Sequence, residues 1–218
     1  PFVVDDLPES LEQEPNDTIT AAQPLTAPVI VNGRIYAPGD LDVFSFKGRA
    51  GEAVVVAVAA RALGSPLDSV IRLTDADGRT LAVNDDCQDK GAGLTTHHAD
   101  SHLETVLPAD GTYHVQLADA QRQGGPDYAY RLRISAPRPD FELRLVPSSL
   151  SVRGGASAPL TVYALRKEGF TNDIFLRLQD APRGFALAGS CLPAGQEKVQ
   201  VTLSVPPRPT DQPVGLKV

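Results

Sequence analysis

Methionine and tryptophan are missing from the 218 residues, and cysteine occurs twice. Cys87 and Cys191 fall in different halves, too few and too far apart for the bridge framework that staples small secreted domains. They read as lone thiols, with a bridge between the halves as the lesser alternative. Long apolar runs are also lacking. The longest, "AVVVAVAA" at Ala53 to Ala60, has the length of a strand, against the ~20 residues a membrane helix needs. Helical periodicity is nearly absent, and no G-x-S-x-G, H-E-x-x-H or phosphate-cradling glycine loop occurs. Without an initiator methionine, and with "PVGLKV" stopping in an apolar stretch, the chain reads as a fragment whose signal peptide and partner domains lie elsewhere.

What is present is ordinary globular composition, 42% hydrophobic and 22% charged, with a net charge of −7. The length favours two small domains. Residues 1–139 hold 20 acids and 11 bases, a net of −9, while residues 140–218 hold 7 acids and 9 bases, a net of +2. So acidic a first half repels phosphate backbones and suits divalent cations, which argues against nucleic acid as a partner.

Along the chain, short runs with period-two alternation or β-branched enrichment are separated by Gly, Pro, Asn and Asp, the pattern of an all-β sandwich. Strands are expected at 29–35, 42–47, 53–60, 69–74, 80–84, 102–106, 112–117 and 128–134. "DADG" at Asp75 to Gly78 has the chemistry of a hairpin turn, and "ADGTY" punctuates in the same way. Prolines and the change in charge balance coincide at "APRPD", which divides the chain into domains 1–138 and 139–218. In the second, strands are expected at 141–146, 160–166, 174–179, 185–188 and 198–205, with one more after "PPRP".

The stretch "EQEPND" crowds Glu12, Glu14, Asn16 and Asp17 around one proline. A hard cation such as Ca²⁺ takes six to eight oxygens from such groups, and alternate residues of an extended segment point one way, so Glu12, Glu14 and Asn16 can converge. The complement lies in "PGDLDVFSF": Asp40 and Asp42 precede a strand whose Phe44 and Phe46 face a core. A solvated leader and a turn-forming Asp40 explain the same letters.

"EQEPNDTITAAQPL", "VNGRI", "GDLDVFSFKGRAGEAVVVAV", "SPLDSVIRLTDADGRTLAVNDD", "DSHLETVLPADGTYHVQL" and "YAYRLRI" follow in the order and rough spacing of bacterial pre-peptidase C-terminal domains, which residues 10–135 resemble. That family is similar to the collagen-binding modules of clostridial collagenases. The resemblance implies a jelly-roll-like β-sandwich carried on secreted bacterial proteins. It also implies calcium held by Glu12, Glu14, Asn16 and Asp17, with Asp40 and Asp42 opposite. The strand "YHVQLADA" departs from the tyrosine-rich late strands of collagen-binding members.

A second acidic set, Asp68, Asp85, Asp86 and Asp100, lies at the ends of strands that a sandwich can bring together. It reads either as a further calcium site or as turn residues accepting backbone N–H bonds. Between them, "CQDKGAGLTTHHADSH" supplies Cys87, His97, His98 and His102, soft enough for zinc or copper. No helix is expected to align His98 with His102, so a loop with incidental histidines is preferred. Ser101 with Asp100 and the histidines has the letters of a hydrolytic triad, but neighbours on a strand point to opposite faces.

The second half, "PSSLSVRGGASAPLTVYALRKEGFTNDIFLRL" and "LPAGQEKVQVTLSVPP", resembles the immunoglobulin-like domains that follow such modules. Cys191 reads as a small core residue. The expectation is a non-enzymatic, calcium-stabilised accessory or spacer region of a larger secreted or cell-envelope bacterial protein, monomeric and not inserted in a membrane. Its partners would be the other domains of its parent chain. The alternative is a module targeting an attached hydrolase to polysaccharide or protein, for which five tyrosines and no tryptophan are thin support.

Overall fold

The computed structural model describes residues 4–86, 100–208 and 212–218. The chain is all-β and forms two compact units that part between Pro137 and Arg138. The helical elements among the described residues are the 3-10 turns Ile19–Ala21 and Arg61–Leu63, and no described helix is long and apolar enough to cross a membrane.

The first unit is built from β1 (Glu9–Leu11), β2 (Gln23–Pro24), β3 (Val29–Arg34), β4 (Leu41–Gly48), β5 (Ala53–Ala59), β6 (Ser69–Thr74), β7 (Thr80–Asn84), β8 (His102–Val106), β9 (Gly111–Asp119) and β10 (Ala129–Ser135). One sheet has the order β1-β3-β10-β5-β8 and the other β2-β4-β9-β6-β7. Every pair is antiparallel except β1 with β3 and β2 with β4. Alternation explains the packing: Val54, Val56 and Val58 of β5, Phe44 and Phe46 of β4, and Leu132 and Ile134 of β10 enter one core shared by both sheets. A sandwich results because neither sheet could hide that apolar face alone.

The eight strands read from the sequence of this unit are β3 to β10. "DADG" closes β6 onto β7, with the Asp75 carboxylate accepting from the N–H groups of Asp77 and Arg79 and Gly78 at φ +80°. In "ADGTY" the buried Tyr113 donates its hydroxyl to the Ala109 carbonyl at 2.6 Å. Unforeseen are β1 and β2, too short to show alternation.

The second unit has β11 (Asp140–Val146), β12 (Ser157–Lys167), β13 (Ile174–Phe175), β14 (Ala186–Ala188), β15 (Cys191–Leu192) and β16 (Lys198–Ser204). An antiparallel sheet β11-β12-β16-β14 and a two-stranded ribbon β13-β15 contribute to one core, with Leu160, Val162, Ile174, Leu192 and Val201 buried in it. The expected strand 174–179 stops after two residues. At the expected last strand the described residues show a single bridge, Gln179 to Lys217. Cys191 corrects a second expectation: it is half-buried opposite the exposed Phe175, while the next residue, Leu192, takes the core position. Its thiol is free.

Candidate metal centre

Local structure fixes the leader first. β1 pairs with β3, and the Glu12 N–H extends the pairing by donating to the Asn32 carbonyl at 3.1 Å. Gln23, buried on β2, clamps the same segment: its Oε1 accepts from Gln13 N at 2.8 Å, and its Nε2 donates to the Leu11 carbonyl at 2.9 Å. Farther on, Val43 N donates to the Asn16 carbonyl at 2.9 Å, tying the leader to the start of β4. Residues 12–17 are thereby held across the end of β4.

The strand supplies the opposite wall. Asp42 shares its face with Phe44 and Phe46, so period two turns its carboxylate into the end of the core, where it is fully buried. Asp40 sits one turn earlier, its Oδ2 accepting from Tyr36 N at 2.6 Å and its Oδ1 from Leu41 N at 3.0 Å.

All six residues expected at the leader site therefore lie in one region. Oxygens of Glu12, Glu14 and Asp42 come within 4.8 Å of one another, as do those of Glu14, Asp17 and Asp40, with Glu14 common to both groups. Among the described residues none of these carboxylates makes an ion pair. Asn16 is completely buried, yet neither Oδ1 nor Nδ2 has a hydrogen-bond partner, and Asp42 Oδ1 is likewise unpartnered. Each such group costs on the order of 1–3 kcal/mol of lost solvation unless something else meets it.

The electrostatics follow. Burial pushes the Asp42 carboxyl up to about 10, helped by its hydrogen bond to Glu12 and the charge of Glu12, while the Tyr130 hydroxyl opposes the shift. Burial also raises Glu14, with Asp40, Glu12 and Asp17 adding repulsion and the Asn16 N–H opposing. Acids this close cannot all ionise without a counter-charge. A hard divalent cation reverses that balance, and carboxylate and amide oxygens are its donors. The residues fit such an ion.

Tyr130 on β10 is a member of the site that the sequence did not single out. Its hydroxyl donates to Asp42 Oδ2 at 2.5 Å and stands 3.0 Å from Glu12 Oε1, and burial followed by those two charges raises its pKa. The phenol reaches them because its register partner on β3 is Gly33. A Cβ there would lie 2.4 Å from the Tyr130 hydroxyl oxygen and 2.8 Å from Glu12 Oε2. A glycine inside a strand signals such close approach, so "VNGRI" carried the clue.

The carboxylates of the second acidic set do not converge, although the segments that carry Asp68, Asp85 and Asp100 meet where the Ser101 hydroxyl contacts the Ser69 and Asp85 carbonyls. Among the described residues the acidic groups that converge are the two at the leader; Asp68, Asp85, Asp86 and Asp100 form no such group. Asp100 is instead consumed by backbone, accepting from Ala60 N at 3.0 Å, Arg61 N at 2.7 Å and Ala62 N at 3.0 Å, where it caps the turn Arg61–Leu63. Asp68 accepts from Gln121 Nε2 at 3.1 Å, and Asp85 and Asp86 are exposed. Asp119, at the end of β9, plays a similar part, accepting from the Asp68, Gln121 and Gln123 N–H groups.

Cys87, His97 and His98 lie outside the described residues. His102 is on β8, its N–H donating to Asn84 Oδ1 at 2.8 Å. Ser101 is fully buried, its hydroxyl donating to the Ser69 carbonyl and its N–H to Ser69 Oγ at 2.8 Å. That hydroxyl joins β6 to β8 and is not presented as a nucleophile.

No family model matches the chain. Over 111 residues, 48% of its length, it is 40% identical to a probable subtilase-type serine protease of Deinococcus radiodurans, of whose length the match spans 14%. Among solved structures it is similar to the pre-peptidase C-terminal domain of a collagenase from Bacillus anthracis, with a TM-score of 0.40 and 11% identity over 56% of this chain and 99% of that one. The chain is thus similar to a stretch of a subtilase-type protease and to a pre-peptidase C-terminal domain, the kind of domain its own motifs resemble.

Proposed function

We propose that the chain is a non-catalytic accessory region of a secreted protease and that calcium locks its leader onto the first unit. The observation that carries this is that Asn16 Oδ1 and Asp42 Oδ1 are buried without a partner in the region where the carboxylates of Glu12, Glu14, Asp17, Asp40 and Asp42 converge and, among the described residues, make no ion pair. Two acidic groups sharing Glu14 favour a pair of ions with Glu14 between them. Glu12, Glu14, Asn16, Asp17, Asp40 and Asp42 supply the oxygens. Calcium supplies positive charge and no chemistry of its own; Tyr130 orients Asp42, and Gln23 holds the backbone that presents Glu12 and Glu14.

Similarity to a stretch of a subtilase-type protease supports the accessory role and a location outside the cytoplasm, where millimolar calcium matches weak sites of about 10⁻⁴–10⁻³ M. The strand orders β3-β10-β5-β8 and β4-β9-β6-β7, in which the chain passes repeatedly from one sheet to the other, support a jelly-roll reading of the first unit. Two opposed sheets around one core support an immunoglobulin-like spacer in the second. The test is calorimetric titration of metal-stripped protein with calcium. Saturable binding that is lost in Asp42→Asn supports the proposal, and the absence of binding heat at millimolar calcium contradicts it.

A further inference from the structure

Next to the metal centre, on the outer face of β1, β3 and β10, lies a groove of about 640 Å³. Its walls include Leu11, Arg34, Tyr36, Leu63 and the small side chain of Ala129. Two large apolar groups are open to solvent here, Leu11 at 72% and Tyr36 at 54% exposure.

The cations of this face are in different situations. Arg131 is committed, donating to Glu9 at 2.9 Å and to Asn32 at 3.2 Å. Among the described residues the Arg34 guanidinium has no hydrogen bond or ion pair; it lies over the Tyr36 ring, 5.5 Å from the centroid, and its Nε is buried without a partner. An unpaired guanidinium is available to a carboxylate from elsewhere, since planar bidentate pairing is what its donors favour.

The surroundings narrow the source. Asp127 stands on the rim and Glu12 on the inner wall, so a polyanion would be repelled while a single carboxylate would not. A sugar ring would have to compete with the guanidinium for one face of Tyr36. Leu11 and Leu63 offer apolar contact on either side.

We propose that this groove docks an extended peptide carrying one acidic side chain between apolar neighbours, the carboxylate pairing with Arg34. Leu11 and Glu12 belong to the leader, so one wall of the groove exists only while the leader is docked. Peptide binding is therefore coupled to calcium, a part of the inference that rests on the proposed metal site. By linkage the peptide tightens calcium to the same degree.

The experiment uses the whole chain and fluorescein-labelled hexapeptides with one central Glu or Asp flanked by Leu, followed by anisotropy at 1 mM or higher free calcium, about the extracellular level. Matched Gln and Asn peptides are the controls. The acidic peptides should bind at least 10-fold more tightly than the amide peptides, and Arg34→Gln should erase that difference while calcium titration of the variant is unchanged. Removing calcium should weaken the acidic peptides at least several-fold. Equal binding of acidic and amide peptides, or full binding by Arg34→Gln, overturns the proposal, as does preferential capture of polygalacturonate. Absence of calcium binding, with Arg34-dependent peptide binding intact, would refute the metal reading alone.

Discussion

The hydroxyl of Tyr130 lies 2.5 Å from Oδ2 of Asp42, two residues 88 positions apart on strands of opposite sheets. This bond occupies one carboxylate oxygen and leaves Oδ1 buried without a partner, joining the core of the sandwich to the candidate metal centre. Tyr130→Phe keeps the ring and removes the donor. It should cost about 1–3 kcal/mol in urea denaturation, the usual range for a bond to a buried charged or polar group, and should weaken calcium in titration. Unchanged calcium affinity would show that the bond does not position Asp42.

Acidity gives a signed expectation. The Asp42 pKa is about 10 in the folded chain against 3.8 for an ordinary aspartate. The folded state then binds more protons than the unfolded state across that window. Calcium-free stability should fall as pH rises from about 4 towards 10, by up to about 1.4 kcal/mol per pH unit. Glu14 is shifted in the same direction and adds to the slope. With calcium holding the acids ionised, denaturation midpoints should lose much of that dependence.

Substituting Asp42 and Asp100 separates two uses of the same side chain. Asp42→Asn removes the cost of protonating a buried carboxyl on folding, so the calcium-free protein should melt no lower than wild type near neutral pH while the stabilisation by calcium disappears. Asp100→Asn weakens a cap that receives three N–H groups, which should cost about 0.5–2 kcal/mol and leave calcium binding intact. Thermal melts with and without calcium distinguish the two.

Glycine supplies a paired test. Gly33→Ala places a methyl 2.4 Å from the Tyr130 hydroxyl oxygen and 2.8 Å from Glu12, and should reduce both stability and calcium binding. Gly78→Ala meets no atom closer than 3.9 Å but sits at φ +80°. It should cost about 1 kcal/mol through backbone strain and leave calcium affinity as it was.

Legibility in the sequence tracked the range of the interaction. Alternation and turn residues are local, so β3 to β10 could be read directly, and so could the hairpin at Asp75 to Gly78. β1 and β2 depend on the buried Gln23 amide and on pairing with distant strands, and two or three residues carry no period. The oxygen donors of the leader were visible as composition, but Tyr130 is 118 positions from Glu12. Asp42 and Asp100 both stand near strand starts, and only the fold decides that one faces other acids and the other a 3-10 turn. Cys191 was misplaced by one position because β15 is only two residues long and offers no alternation from which to assign its faces.

The most direct measurement is the melting temperature of the metal-stripped chain as calcium is raised from nothing to several millimolar. Selective binding to the folded state should lift it progressively, by about 2.7 kcal/mol of added stability at a hundredfold excess over the dissociation constant, with Asp42→Asn showing no rise. A melting temperature that stays flat in the wild-type chain would contradict the account.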